Sequence, residues 1–342
     1  MPSVAQRAKE GCWDWLRATQ DESCQIAKQG VYPGNRSRPW GPLRERTLKP
    51  MPIAITLGTA ALLVAAVPCS GADRPYEAEI GTWRQDFDAD LRNGAWLALV
   101  GRYRLGEGEF AVGSDPSSDV VLPERAPKSF GRLTRHSSTV RFEPARGAEV
   151  SVDGMAVSAG VELSTKSGTG WVRRGDFQLA VRPVGEDYYV LVQDSGNPLK
   201  RNFKGSTWFP VDPSFRVPAK FLAYAHPEKV ALALTHVDSR QYLESDGDVV
   251  FELGGRQWRL KSFAEEDHLF LMFQDGTNGK ATYGGGRFLY APIPKDGTTV
   301  LDFNKAFNPY CSVNDAVMCP IPLPGSRLEV DVTAGETYRG HD

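Results

Sequence analysis

Residues 80–100 read IGTWRQDFDADLRNGAWLALV, and the apolar spacing changes period inside that stretch. In its first part Ile80, Trp83, Phe87 and Leu91 recur at spacings of three, four and four, which puts them on one face of a helix. Arg84, Asp86, Asp88 and Asp90 fall elsewhere on that helix, which we expect over residues 73–93. Asn93-Gly94 closes it with residues that tolerate positive φ. From Trp96-Leu97-Ala98-Leu99-Val100 onward the period is two. Short segments follow at 108–112, 120–122, 140–142, 150–152, 171–173, 177–181 and 188–192, separated by Gly, Pro, Asp and Ser clusters. Several strands at such spacing, with no helical period between them, predict a sandwich or barrel.

The stretch 200–220 (KRNFKGSTWFPVDPSFRVPAK) reads as a proline-punctuated connection. A second β-rich part contains segments at 230–234, 249–253, 257–260, 269–273 and 287–290, and residues 301–328 form a loop-rich end. The expected fold class is therefore all-β, sandwich or barrel-like, in two β halves with one N-terminal amphipathic helix. Its divisions are 1–43 (an unassigned leader, read as over-called coding sequence), 44–72 (a signal peptide), 73–195 (helix plus sandwich half) and 196–342 (a C-terminal β domain with a proline-rich loop).

The leader reading rests on order. Arg44, Arg46 and Lys49 precede the uncharged stretch 51–72, and Ser70-Gly71-Ala72 supplies small residues for cleavage. The apolar core at 52–67 is shorter than the roughly 20 residues a membrane span needs. The protein is thus expected to be exported, periplasmic or extracellular, with no membrane span after leader removal. Cys69 offers an alternative, a lipid anchor. The 342 residues carry a formal net charge of −2, which gives no bulk attraction to nucleic acid or anionic lipid. We expect no nucleic-acid partner.

The final third holds Asp275-x-Thr277-x-Gly279, Thr282-Tyr283-Gly284-Gly285-Gly286-Arg287, Leu301-Asp302-Phe303-Asn304, Asn308-Pro309-x-Cys311, Cys319-Pro320-x-Pro322, Arg327-Leu328 and Ala334-Gly335-Glu336. With these motifs the chain resembles the domain of unknown function sixteen-eighty-four family, widespread in bacteria. The resemblance extends upstream through Trp96 to Gly101, Phe110 to Leu122 and Trp208 to Pro213, and it implies no activity. Phe307 and Ser326 depart from the tyrosine and asparagine common at those places. The stretch FAVGSDPSSDVVL (residues 110–122) also resembles the opening of a forkhead-associated sandwich. Phosphothreonine readers of that kind use an arginine after the glycine and a later Ser-x-x-His. Here Ser114 follows Gly113, and Ser129-Phe130-Gly131-Arg132 lacks the histidine.

Among chemical constellations, Tyr283, Arg287, Asp302, Asn304, Asn308 and Arg327 are the candidate ligand-binding set, with Asp302 and Glu336 the candidate catalytic carboxylates. Asp302 and Asn304 alternate with Leu301 and Phe303, so in a strand they share one face. An arginine beside them could hold Asp302 or a ligand carboxylate or phosphate bidentately. The structural alternative is a buried network that pins the proline-rich loop. Cys311 and Cys319 are a disulfide candidate in an oxidising compartment; packed thiols and metal ligation are the alternatives.

Other patterns are weaker. His226-Pro227-Glu228 with the later cysteines shares part of the zinc-deaminase pattern, but seven residues separate those cysteines and Pro227 argues for a loop. Gly106-x-Gly108 and Gly284-Gly285-Gly286 open no helix, so they read as turns rather than phosphate cradles. Asp275-Gly276-Thr277-Asn278-Gly279 lacks the distal glutamate of a calcium loop and reads as a turn between strands. No cofactor and no metal is expected. The functional expectation is a binding or structural protein with a small-molecule ligand, its oligomeric state open. A hydrolase using Asp302 and Glu336, with Arg287 and Arg327 as anion-binding groups, is the alternative. A lipid-anchored envelope component is the third reading.

Overall fold

The structure, a computed structural model, describes residues 73–265 and 267–340. The stretches expected to be a leader and a signal peptide, with Cys69 and the upstream cysteines, lie outside the described residues. None of the described helices is long and apolar enough to cross a membrane.

The fold is mostly β with a single long helix, as the change of period predicts. That helix, α1, runs Asp73–Asn93. Ile80 and Leu91 are buried, and Trp83 and Phe87 are half-buried beneath aromatic neighbours. Phe87 lies 5.5 Å from Trp208 and 5.2 Å from Phe307 by ring centroids. Gly94 ends the helix through close approach rather than through positive φ. Its N–H donates to Asp90 O at 2.7 Å, and a Cβ there would stand 2.6 Å from that oxygen.

The first β half contains eleven strands: Leu99–Arg104 (β1), Gly108–Gly113 (β2), Val120–Val121 (β3), Gly131–His136 (β4), Thr139–Pro144 (β5), Val150–Val152 (β6), Met155–Val157 (β7), Val161–Leu163 (β8), Val172–Arg174 (β9), Phe177–Val184 (β10) and Asp187–Asp194 (β11). They form two sheets, ordered β1-β11-β10-β9-β6-β7 and β3-β2-β4-β5-β8. Alternate side chains such as Leu133, Val140, Phe142, Val172, Val181 and Val190 meet in one apolar core between them.

After a short helix, α2 (Pro198–Asn202), come Thr207–Trp208 (β12), Arg216–Ala233 (β13), Arg240–Leu253 (β14), Arg256–Glu265 (β15), His268–Phe273 (β16), Arg287–Pro292 (β17), Thr298–Asp302 (β18) and Glu336–Thr337 (β19). The sheet β17-β16-β15-β14-β13-β18 curls into a nearly closed barrel, and β12 pairs with β19 as a separate ribbon. The expected connection at 200–220 gives way to strand from Arg216. Pro218 falls near the start of that strand, opposite Val300 of β18 and before pairing with β14 begins at Ala219, a position where a proline is tolerated if its nitrogen faces the unpaired side. His226-Pro227-Glu228 likewise lies inside β13 rather than in a loop, where a register break between Ala223 and Glu228 absorbs the proline.

A further apolar cluster joins the halves. Leu91, Trp96, Leu97, Leu99, Tyr189 and Leu191 of the first half pack with Leu232, Leu243, Phe263, Phe270, Phe288 and Phe307 of the second. Each half thus uses the other to cover apolar surface.

Candidate functional site

The motif residues assemble into three adjoining polar networks. Asp302 ends β18 and starts the 3-10 turn Phe303–Lys305, where its side chain accepts from Asn304 N at 3.2 Å. The strand that was to carry both residues on one face stops at Asp302. The turn nevertheless brings Asn304 Nδ2 within 3.3 Å of Asp302 Oδ1. Tyr76 of α1 donates its hydroxyl to the same Oδ1 at 2.8 Å, and Arg216 Nε stands 4.0 Å from Oδ2. Burial and then the Asp302 hydrogen bond push the Tyr76 hydroxyl well above its ordinary value. Asn304 also accepts from Asp212 N at 2.9 Å and donates to Asp212 O at 2.8 Å. These groups tie α1, β18 and the start of β13 together.

The second network surrounds Arg287, which is fully buried. Its carboxylate partner is Asp275, not Asp302: Nη2 and Nε donate to Asp275 Oδ2 at 2.7 and 3.2 Å. Nη1 donates to Ala334 O at 2.5 Å and Nη2 to Val332 O at 2.8 Å. Asp275 Oδ1 accepts from Thr277 N at 2.8 Å and Thr277 Oγ1 at 2.6 Å. Burial lowers the Arg287 guanidinium, and the Asp275 charge opposes that shift. The Asp275 turn is therefore a turn between strands, as its sequence suggests, with an ion pair beneath it that the spacing does not announce.

In the third network Glu336 accepts from Asn308 N at 2.7 Å. Burial raises its carboxyl to about 7. Asn308 Nδ2 donates to Thr337 O at 3.1 Å, and its Oδ1 accepts from Tyr283 N at 3.2 Å. Tyr283 is half-buried beside Tyr338 at 5.2 Å. Arg327 joins none of these networks. Its side chain is exposed, and its contribution is a backbone bridge to Gln274.

Cys311 and Cys319 are both buried, with thiols free. Cys311 N donates to Cys319 Sγ at 3.3 Å. The Cys319 hydrogen bond, helped by Thr235 and Tyr283, holds the Cys311 thiol below its ordinary value against burial. Burial pushes Cys319 well up.

An open cleft lies elsewhere, on the seam between the halves. Its volume is about 700 Å³, and Arg102, Arg104, Asp187, His236, Asp238 and Asp315 line it. Strand β1 supplies the two arginines, β11 supplies Asp187, and the turn between β13 and β14 supplies His236 and Asp238. Arg102 donates through Nη1 to Asp315 O and through Nη2 to His236 O at 3.5 Å, so it spans two loops. Burial lowers its guanidinium, opposed by Asp315. Arg104 Nε donates to Asp187 Oδ1 at 3.0 Å, and Ser239 Oγ to Asp187 Oδ2 at 2.6 Å. The Ser239 bond, partly opposed by burial and aided by Arg104, keeps Asp187 below the usual carboxylate range. The cleft combines fixed cations, anions and hydroxyls, a lining suited to holding a small polar molecule. Sequence reading missed it because its residues come from four distant segments. Among the described residues no group of three or more His, Cys, Asp or Glu side chains converges to hold a metal ion.

A family model described as Protein of unknown function (DUF1684) matches residues 201–337. Among solved structures, the solution NMR structure of an uncharacterized protein from Haloarcula marismortui is 34% identical. The match covers 41% of this chain and 80% of that one, with a TM-score of 0.36. No curated protein matches the chain.

Proposed function

The chain belongs to the DUF1684 family, through residues 201–337, and from the geometry of the seam cleft we propose an exported binding protein that holds a small polar ligand there. The observation that carries this reading is the contrast between two places. The motif residues spend their polar atoms on one another and on main chain, whereas the cleft is open, sits between two halves and is lined by charged side chains. Seams of that kind and size are where small-molecule sites commonly form. Asp302, Asn304, Asn308, Arg287 and Glu336 then serve as the pins that hold the proline-rich loop, and the Tyr283 N–H adds a bond to Asn308. The hydrolase alternative gains no support from this geometry. Asp302 and Glu336 answer to different partners, and the Arg327 side chain is exposed.

Export rests on the basic flank, apolar run and small-residue end of residues 44–72. It would place Cys311 and Cys319 where a disulfide can form, and the proposal includes that bond. Mass spectrometry of the mature N-terminus separates free secretion from a lipid on Cys69.

A thermal-shift screen against amino acids, carboxylic acids and sugar phosphates tests the binding site. The expected hit raises Tm by roughly 5 °C at a hundredfold excess over Kd. Arg102→Gln should abolish that rise and Asp302→Asn should keep it. A hit that survives Arg102→Gln and is lost in Asp302→Asn would move the site to the motif residues.

A further inference from the structure

The segment that closes between the two cysteines is also a wall of the cleft. Asp315 and Ala316 line it from one side, and His236 to Ser239 line it from the other. Both walls are fastened to the cysteine pair. Cys319 N donates to Thr235 Oγ1 at 3.0 Å, and Thr235 N donates to Cys319 O at 2.9 Å, immediately before His236. Within the segment Asn314 Nδ2 donates to Trp96 O and Leu99 O at 2.7 and 2.8 Å. Arg102 then bridges the walls through the carbonyls of Asp315 and His236.

We propose that Cys311 and Cys319 are a dithiol–disulfide modification site whose closure fixes both walls of the seam cleft. This rests on reading the cleft as the ligand site, and it names the control of that site. The co-reactant is a small disulfide of the glutathione class. The Cys311 thiolate attacks one of its sulfurs, that S–S bond breaks, and one thiolate leaves. The Cys319 thiolate then attacks Cys311 Sγ in the mixed disulfide and expels the second thiolate. Two protein thiols are oxidised, one small disulfide is reduced to two thiols, and the two protons end on those thiols.

Proximity favours the internal step, because Cys319 Sγ already receives the Cys311 N–H at 3.3 Å. Both thiols are buried, so exchange with the co-reactant waits on local opening of the 311–319 segment. The closed bond suppresses that opening, and the same opening carries Asp315 and Ala316 out of the cleft wall. The two halves of the proposal are therefore one motion.

The full chain, equilibrated across glutathione ratios, would be mapped by alkylation and peptide mass to read this pair apart from the other three of its five cysteines. Hydrogen exchange would then be followed at 235–239 and 313–317, with 131–142 as a remote control. Oxidation should remove two hydrogens from the linked peptides and slow exchange at both cleft segments by roughly ten- to a hundredfold, leaving 131–142 unchanged. Thiols that stay reduced at oxidising ratios overturn the proposal. So does a bond that forms while 235–239 and 313–317 exchange as before. In Cys311→Ser the redox dependence at those segments must vanish, and persistence there would assign it to another cause. None of these readouts needs a ligand, so the ligand screen and this proposal can fail separately.

Discussion

Glu336 and Asp275 show what single carboxylates do in this interior. Glu336 has an ordinary value of 4.5 and is raised to about 7 by burial. Below pH 4.5 it is protonated both folded and unfolded. Between 4.5 and about 7 the unfolded chain ionises while the folded chain keeps the proton, so stability falls as pH rises through that window. Above it the loss is complete, at most ~3 kcal/mol. Urea midpoints measured from pH 4 to 8 should show this slope in the natural chain and lose it in Glu336→Gln, whose side-chain oxygen can still accept from Asn308 N. Asp275 matters for a different reason, because it is the carboxylate that pairs with the buried Arg287. Asp275→Asn leaves a fully buried guanidinium without its carboxylate and should cost roughly 3–5 kcal/mol in urea unfolding. Arg287→Met combined with Asp275→Leu should cost less than that single change, since nothing charged is then stranded.

At the scale of elements, the sequence was legible where apolar side chains are dense. Strands β10 and β11 read clearly because Leu179, Val181, Val190 and Val192 fill the sandwich core. α1 read clearly because its stripe has one sequence period. Strands β4, β7 and β8 did not. β4 is GRLTRH with Leu133 its one fully buried side chain, and Met155 in β7 is exposed, so neighbours rather than composition hold these strands. For the site, the motifs gathered Arg287, Asp302, Asn304, Asn308 and Glu336 as ligand-binding and catalytic candidates, and all five are buried polar residues. They did not reveal that Arg287 answers to Asp275, that Tyr76 on a remote helix completes Asp302, or that Arg327 stays in solvent. The cleft was illegible for a further reason. Arg102 and His236 are 134 residues apart, and only the docking of two sheets makes them neighbours.

At the scale of the whole molecule, the shared apolar cluster decides how the chain comes apart. The stretch 195–206 between the halves offers Arg201 and Lys204 to solvent. Trypsin cutting there would sever the backbone yet leave Trp96, Leu99 and Leu191 pressed against Phe263, Phe270 and Phe307. A separation would expose that surface to water at about 25 cal/mol for each Å². The nicked protein should therefore elute from a sizing column as one species and run as two bands on a denaturing gel; two peaks on the column would contradict the shared cluster. On that outcome the halves would be complementing fragments, and the peptide link between them a convenience of synthesis more than the bond that keeps them together.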